Sequence, residues 1–322
     1  MVALFQSIHS FFYGLNQQKD FKHKNRLAWF GANVLARLFE LLSYYFILFR
    51  GKIGFLPPAL KNGHQLVVSF TSFPDRINGA WMVVDCLMRQ SFLPSAIYLY
   101  LSRDQFPHEK DDLPSNILKY EKLGLKIIFV DDDLKPHKKY FYISQTLNGE
   151  CFVTVDDDVL YRRDMLSRLW NLHEKYPDSV CANYGRRIAF GENGTLPYAN
   201  WKVLLDDKIH NNELDTIAIG FGGILYPSCF YKNISLICDA PTIKETCLRA
   251  DDLWLKVMEL KTDTPLVIST YYANPPSIRA TAKSALSVSN RRNGTNGNDL
   301  QWKALERKFK LCFPLENKKE DV

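Results

Sequence analysis

The sequence predicts an α/β protein with a mostly parallel sheet flanked by helices. Short apolar runs rich in β-branched and aromatic residues recur along the chain, and the stretches between them are long enough for crossover helices. Strands that alternate with helices in this way usually pair in parallel, because each crossover returns the chain to the same end of the sheet. The predicted strands span residues 66–70, 96–101, 125–130, 151–155 and 179–183.

Composition narrows the class of protein. A chain of 322 residues with 46% hydrophobic and 24% charged residues can bury a full core, which argues against disorder. The formal charge of +6 suits an anionic partner such as a nucleotide or a phospholipid surface, but the basic residues are scattered, so we expect no nucleic-acid partner. Seven cysteines without a C-x-x-C pair indicate a reducing, cytoplasmic compartment and no structural zinc.

The first 55 residues differ from the rest and predict N-terminal amphipathic helices. Residues 27–49 are rich in Leu, Phe and Tyr, yet Asn33, Arg37 and Glu40 recur at helical spacing and form a narrow polar stripe. A helix that spans a membrane would not carry that stripe. We therefore divide the chain into N-terminal helices, 1–55, and a main domain, 56–322, that carries the predicted sheet.

A basic cluster precedes this helix and suggests its partner. Its members are Lys19, Lys22, Lys24 and Arg26. Together with the aromatic face, this cluster is typical of a helix that lies in the headgroup region of an anionic membrane surface. The alternative is an amphipathic helix that packs on the protein's own core.

Three consecutive acids directly follow the fourth predicted strand. Adjacent carboxylates repel one another and need a cation when they are buried. In an extended backbone alternate side chains share a face, so Asp156 and Asp158 can converge on one ion while Asp157 points elsewhere. Mg²⁺ or Mn²⁺ would suit such a site, completed by water and phosphate oxygens. The alternative is a solvated turn whose first Asp caps a helix that begins near residue 162.

A second acid triplet, residues 131–133, follows the third predicted strand. Basic side chains that can neutralise it come next, namely Lys135, His137, Lys138 and Lys139. Lys138 and Lys139 also open a predicted helix over 138–147, and a helix N-terminus with ammonium groups suits a phosphate. The alternative is a solvated basic turn. Both triplets and the segment "SFTSFPDR" lie at the carboxyl ends of predicted strands, where ligands bind in such sheets.

The second half of the chain adds a Gly-rich stretch and two further helices. "IGFGGILYP" spans 219–227, and helices are predicted over 251–260 and 300–310. Asp251 and Asp252 stand at the start of the first helix, where capping accounts for one acid more readily than for two.

Five motifs, in the order in which they occur along the chain, resemble those of a known protein family. "VSFTSFPDRI", "PHKKYFY", "TVDDDVLY", "IGFGGILYP" and "ADDLWLK" resemble the bacterial nucleotide-sugar glycosyltransferases of the GT-A fold, of the kind found in capsule and lipopolysaccharide gene clusters. The resemblance covers residues 66–310 and implies a GT-A-like, Rossmann-like sheet. It also implies that Asp156 and Asp158 hold Mn²⁺ or Mg²⁺ against the donor diphosphate, and that Asp251, or else Asp252, is the general base.

The resemblance implies further roles at the donor and acceptor sides. The residues it places around the donor nucleotide are Thr71, Ser72, Arg76, Asp133, Lys138, Lys139, Asp157, Arg291 and Arg292. Arg291 and Arg292 belong to a polar segment that would close over the diphosphate as a flap; Arg76 could instead pair with a neighbouring acid. The residues it places against a sugar are Trp201, Gly222 and Gly223. The alternatives there are a core aromatic and a sheet turn.

The implied function is metal-dependent transfer of a hexose, with galactose from a UDP-sugar favoured, to a hydroxyl of a growing surface glycan. The transfer would be inverting, the acceptor a glycan or lipid-linked glycan, and the location the inner face of the bacterial cell membrane, to which the protein would be peripheral. Two other functions compete with it. One is a metal-dependent phosphohydrolase or phosphotransferase, although "DDDVL" lacks the Thr or Ser expected two residues after an acid pair. The other is a non-catalytic, membrane-docked glycan-binding protein.

Overall fold

The computed structural model describes residues 1–17, 25–60, 64–192, 194–205, 208–269, 276–278 and 297–311. Its α-helices are α1 (Val2–Gln17), α2 (Arg26–Lys52), α3 (Pro74–Leu87), α4 (Ser115–Leu118), α5 (Lys138–Phe141), α6 (Ile143–Thr146), α7 (Met165–Lys175), α8 (Ile234–Ile237), α9 (Ala240–Thr246), α10 (Asp251–Thr262) and α11 (Gly297–Phe309). Its strands are β1 (His64–Thr71), β2 (Pro94–Ser102), β3 (Leu125–Val130), β4 (Cys151–Thr154), β5 (Val180–Ala182), β6 (Gly185–Arg187), β7 (Phe190–Gly191), β8 (Gly194–Thr195), β9 (Lys202–Val203), β10 (Ile209–Asn211), β11 (Thr216–Ala218), β12 (Ile224–Tyr226) and β13 (Leu266–Ser269).

The predicted α/β class is confirmed by the main sheet, which has eight strands within the described residues in the order β10-β13-β5-β12-β4-β1-β2-β3. β1 pairs in parallel with both β2 and β4, β2 with β3, and β5 with β13. β12 and β10 run antiparallel to their neighbours. Each of the five predicted strands appears within two residues of its expected bounds.

The sheet is buried on both faces. Successive side chains on a strand point to opposite faces, and Val68 and Val153 pack into one hydrophobic cluster while Val67 and Phe152 pack into the other. Helices therefore cover both sides, which is why these strands read as continuous apolar runs rather than as alternating ones.

The strand order locates the place where a ligand would bind. From β1 the chain proceeds to β2 and β3 on one side, then returns to β4 on the other side of β1. Ligands of open α/β sheets bind outside the carboxyl ends of strands at such a reversal. Here that point lies between the end of β1 at Thr71 and the end of β4 at Thr154.

Three local predictions differ from the structure. The helix expected over 138–147 is broken into α5 and α6, and the helix expected near residue 162 begins at Met165. The Gly-rich stretch forms a short 3₁₀ turn, Gly220–Gly222, followed by β12, which was not predicted as a strand. β12 is only three residues long, and its pairing with both β4 and β5 holds it in the sheet.

Helices α1 and α2 pack against each other as a hairpin, and α2 also contacts α3. The buried residues of α2 are Ala32, Ala36, Glu40, Ser43 and Ile47. Arg50 pairs with the buried Asp85 of α3. A Cβ at Gly51 would meet the Trp81 ring at 2.4 Å, so only glycine allows this close contact. The division of the chain at residue 55 stays a prediction.

The opposite face of α2 is apolar and exposed. Large hydrophobic side chains recur along it at helical spacing, namely Leu27, Phe30, Val34, Leu38, Leu42, Tyr45 and Phe49. Among the described residues, α2 is the one helix long and apolar enough to cross a membrane, by length and composition alone. The polar stripe predicted from the sequence is thus partly turned inward, with Glu40 only 7% exposed.

Candidate active site

The acid triplet after β4 lies in a turn at the reversal point of the sheet. β4 ends at Thr154, and Asp157 and Asp158 occupy the turn, so the extended backbone assumed from the sequence stops before them. The amide of Val155 still donates to the carbonyl of Ser69 in β1 (3.1 Å), and the amide of Asp156 donates to the hydroxyl of Tyr161 (2.8 Å). These bonds fix the first acid directly beside the end of β1.

Arg76 from the first turn of α3 neutralises two of the three acids. Its guanidinium lies 2.7 Å from Asp157 Oδ1 and 3.0 Å from Asp158 Oδ2. Ser72 also donates to Asp157, at 2.5 Å. Burial raises the pKa of Asp157 and raises that of Asp158 to about 7, while Arg76 works against both shifts. The intramolecular pairing left open for Arg76 is therefore present, with Asp157 and Asp158 as its partners.

Lys139 joins the first acid of the triplet to the start of α10. Its ammonium lies 2.7 Å from Asp156 Oδ1 and 2.9 Å from Asp251 Oδ2. Burial of Lys139 lowers its pKa, but Asp156, Asp251 and Asp252 outweigh burial and hold that pKa well above the ordinary value. The side chain is 3% exposed, so a single buried cation connects the two acid clusters that the sequence separates by almost a hundred residues.

Asp252 faces the same place from the other side. Its Oδ1 accepts the backbone N–H of Gly220 at 3.0 Å. Burial, and the neighbouring Asp251, raise the pKa of Asp252 well above its usual range, and Lys139 opposes that shift. Asp251 is 6% exposed, whereas Asp252 is only half-buried.

The backbone of Gly220 lies close to Lys139, Asp252 and Asp156, and sequence reasoning missed this glycine. A Cβ placed there would lie 2.8 Å from Lys139 Nζ, 3.1 Å from Asp252 Oδ1 and 3.5 Å from Asp156 Oδ1. The available signal was the first glycine of "GFGG", but Gly222 and Gly223 were chosen as the sugar contacts. Those two glycines pack against Tyr184 and Met165, which matches the sheet-turn alternative.

Adding a methyl group at residue 220 should disturb this arrangement. We expect Gly220→Ala to lower turnover about a hundredfold, because displacing a reacting or positioning group by about 1 Å has effects of this size. The assay is initial-rate turnover of a UDP-hexose with Mn²⁺, the substrate that the resemblance implies. Gly31→Ala in α2 is the matched control, since a Cβ there meets nothing within 4 Å. Equal activities of the two variants would contradict the placement of Gly220.

The carboxylates fit a divalent cation that is shared with a substrate. The side chains of Asp156 and Asp158 are 32% and 22% exposed, and Lys139 and Arg76 contact one oxygen of each. Hard oxygen donors of this kind suit Mg²⁺ or Mn²⁺. In the described part of the chain no group of three or more His, Cys, Asp and Glu could hold a metal alone. A two-carboxylate site completed by water and phosphate oxygens therefore fits; a cage built only from protein ligands does not.

The second triplet has protein partners, as expected. Asp133 pairs with Lys135 and Lys138, which lower its pKa even though burial works to raise it. Arg103 neutralises Asp131 at 2.7 Å and Lys244 neutralises Asp132 at 2.9 Å, and neither residue was predicted.

His137 does not neutralise the second triplet as the sequence suggested. Its ring nitrogens lie 2.8 Å from the Tyr140 hydroxyl and 2.7 Å from the Cys247 carbonyl. Burial lowers the pKa of His137 to about 4. The ring is therefore neutral at physiological pH and cannot balance a carboxylate.

The remaining predicted site residues fall into three groups. Thr71 is half-buried at the end of β1 and donates to the carbonyl of Tyr100 at 2.7 Å. Trp201 is 2% exposed, packs edge-to-face on Trp302 and donates to the carbonyl of Leu196, so it is a core aromatic with no open face for a sugar. Arg291 and Arg292, with the flap predicted around them, lie outside the described residues.

Comparisons with known proteins give structural similarities only. No protein-family model matches the chain, and no curated protein matches it. A mannosyltransferase from Pyrobaculum calidifontis in complex with GDP-Man and Mn²⁺ is 13% identical, with a TM-score of 0.47, and the match covers 85% of this chain and 72% of that one. S. aureus TarS 1-349 in complex with UDP-GlcNAc is 12% identical, with a TM-score of 0.39, over 66% of this chain and 56% of that one.

A third similar structure is a synthetase. CMP:2-keto-3-deoxy-manno-octonic acid synthetase with CTP is 8% identical, with a TM-score of 0.42, and the match covers 70% of this chain and 98% of that one. Likenesses of this strength carry no argument about function.

Proposed function

We propose that the protein is a metal-dependent glycosyltransferase that moves a hexose, galactose being favoured, from a nucleoside diphosphate donor such as a UDP-sugar to a glycan or lipid-linked hydroxyl. The observation that carries the proposal is the juxtaposition of two acid pairs at the reversal point of the sheet. The buried Lys139 ammonium pairs with Asp156 of the triplet and with Asp251 at the start of α10. Asp158 lies two residues after Asp156, and Asp252 directly follows Asp251. A transferase of this kind needs both sets, one for the leaving group and one for the acceptor.

Asp156 and Asp158 would hold the divalent cation, which supplies Lewis-acid neutralisation of charge on the departing diphosphate. Arg76 and Lys139 hold these carboxylates in place, because each cation lies within 3.0 Å of the acid it pairs with. Positive charge held close to the acids also favours the anionic donor.

Asp252 is the better placed of the two candidate bases. An acceptor hydroxyl needs a nearby carboxylate to take its proton as it attacks the anomeric carbon, and the transfer would then be inverting. Asp251 is almost fully buried, and its Oδ2 is already engaged by the Lys139 ammonium at 2.9 Å. Asp252 is only half-buried, its Oδ1 is held by the Gly220 amide, and burial raises its pKa above the ordinary value. The contacts thus favour Asp252 over the Asp251 preferred from the sequence.

A thermal-shift screen tests the donor class. UDP-, GDP- and CMP-sugars are each added with and without Mn²⁺; the first two nucleotides and the metal are also those held in the similar glycosyltransferase structures. A ligand that binds only the native state raises its free energy of unfolding, by about 2.7 kcal/mol at a hundred times the Kd. We expect a Mn²⁺-dependent rise in Tm with a UDP-hexose. If none of the sugar nucleotides raised the Tm, the proposed function would be contradicted. A phosphohydrolase or a non-catalytic glycan binder would then be favoured.

The same proposal includes an anionic membrane surface at the cytoplasmic side as partner. Support comes from the exposed apolar face of α2 and from the basic cluster that the sequence places before it. Burying such a face in the headgroup region, with basic side chains near anionic lipids, is how peripheral helices bind membranes. A glycan acceptor carried on a lipid would be met at that surface.

Vesicle co-sedimentation tests the membrane partner. Phe30 and Phe49 are 62% and 58% exposed, and burying one such side chain is worth about 1.5–3 kcal/mol. The double variant Phe30→Ser, Phe49→Ser should therefore bind phosphatidylglycerol vesicles at least about tenfold more weakly. Leu300→Ser on α11, 57% exposed, is the matched control and should bind as the unaltered protein does. Equal binding by all three proteins would refute this surface.

A further inference from the structure

The N-terminal hairpin α1–α2 touches the turn that carries the acid triplet. Gln6 of α1 is 1% exposed, and its side-chain amide donates to the carbonyl of Leu160 at 3.0 Å and to that of Tyr161 at 3.3 Å. A buried amide this far from its partners in sequence is there to satisfy backbone carbonyls that would otherwise be unpaired. The two carbonyls belong to the residues that directly follow the triplet turn.

Tyr161 in turn contacts the backbone of Asp156, the first acid of the triplet. While its carbonyl accepts from Gln6, its hydroxyl accepts the backbone N–H of Asp156 at 2.8 Å. Tyr161 is 2% exposed, so its ring cannot relocate without opening the core. The result is a chain of two hydrogen bonds that runs from α1 through Tyr161 to the backbone of Asp156.

A second connection runs from α2 through the segment 276–278. The carboxylate of Glu40, 7% exposed, accepts from the Ser277 hydroxyl at 3.3 Å. Ser277 forms an isolated antiparallel bridge with Val159. On either side of that bridge the amide of Ile278 donates to the carbonyl of Asp158 (2.7 Å), and the amide of Leu160 donates to that of Pro276 (2.8 Å).

We infer that the N-terminal hairpin is a structural part of the acidic site. Gln6 is a positioning residue that sets the backbone of Asp156, and Glu40 supports that of Asp158 through segment 276–278. The hairpin thereby does more than attach the protein to a surface. Whatever displaces α1 also releases the turn that presents the carboxylates. The link to donor binding rests on the proposed function, whereas the link between hairpin and turn does not.

Amide hydrogen exchange on the full-length protein tests the link. Gln6→Met keeps the length of the side chain and removes its donor. We expect the amides of Asp156 and Leu160 to exchange about tenfold faster, since local opening follows the hydrogen bonds that oppose it. Asn33→Leu is the matched control, because the Asn33 amide donates within its own helix, to Trp29 at 2.9 Å. It should leave both exchange rates unchanged.

Tyr161→Phe tests the second step separately. Removing the hydroxyl should speed exchange at Asp156 and leave Leu160 protected, because the Leu160 amide bonds to Pro276 instead. Unchanged exchange at Asp156 in this variant would overturn the chain of contacts even if Gln6→Met did not fold. In a folded Gln6→Met protein, exchange rates equal to those of Asn33→Leu would overturn it as well.

Donor binding is measured on the same variants with UDP-hexose and Mn²⁺. A Kd raised about tenfold in Gln6→Met, with Asn33→Leu unchanged, supports the positioning role at the active site. If the unaltered protein bound no sugar nucleotide, the proposed function would be refuted. Faster amide exchange in Gln6→Met would still support the structural link between the hairpin and the turn.

Discussion

Replacing Asp156 and Asp158 together by Asn is expected to lower sugar transfer at least about a thousandfold, because metal stabilisation of a leaving diphosphate is worth several kcal/mol. Asn keeps the size of each side chain and removes the charge that a divalent cation requires. The variant should also lose Mn²⁺-dependent donor binding, which isothermal titration calorimetry measures directly. Circular dichroism melting confirms that the protein remains folded.

The chain offers a matched control for this experiment. Asp131 lies at the end of β3 on the same edge of the sheet, its side chain is 92% exposed, and Arg103 pairs with it. Asp131→Asn removes an acid from the other triplet and should change transfer by less than about twofold, because exposed ion pairs contribute little. A double variant at 156 and 158 that transferred sugar as fast as the Asp131 variant would refute the metal assignment.

Asp252→Asn should lower kcat by about 10²–10⁴, the usual contribution of a general base, and leave the Kd of the donor unchanged. The amide oxygen of Asn can still accept the Gly220 N–H, so the turn at the start of β12 should stay in place. Single-turnover kinetics separates the chemical step from donor binding.

Asp251→Asn distinguishes the two carboxylates. This change removes the carboxylate that pairs with the Lys139 ammonium, so the ammonium should shift. We therefore expect weaker donor binding and a smaller fall in kcat than in Asp252→Asn. If Asp251→Asn alone lost the chemical step, the base would be Asp251. If neither variant lost it, general base catalysis from the start of α10 would be excluded.

The parallel half of the sheet was predictable because its signal is local. β1 to β4 are apolar runs of four to nine residues buried on both faces, and crossover segments separate them. β12 was not predictable in this way, since three residues after a glycine turn become a strand only through partners that lie far away in sequence.

In the candidate site, too, local features were predictable from the sequence and long-range contacts were not. The sequence placed the acid triplet at the correct edge of the sheet and placed a second acid pair at the start of a helix. It did not reveal which cation pairs with which acid, because Lys138 and Lys139 are adjacent, yet one pairs with Asp133 and the other with Asp156. Gly220 and Gln6 gave no clear signal either: their importance comes from what they approach, which only the folded chain defines.

The central claim is that the carboxylates of residues 156 and 158 bind a divalent cation together with a nucleoside diphosphate sugar. Crystals soaked with Mn²⁺ and a UDP-hexose, measured at the manganese absorption edge, test it most directly. The account predicts an anomalous peak within about 2.3 Å of an oxygen of each carboxylate and adjoining two phosphates. A bound donor with no anomalous peak at these carboxylates, and with Lys139 still joining Asp156 to Asp251, would contradict it.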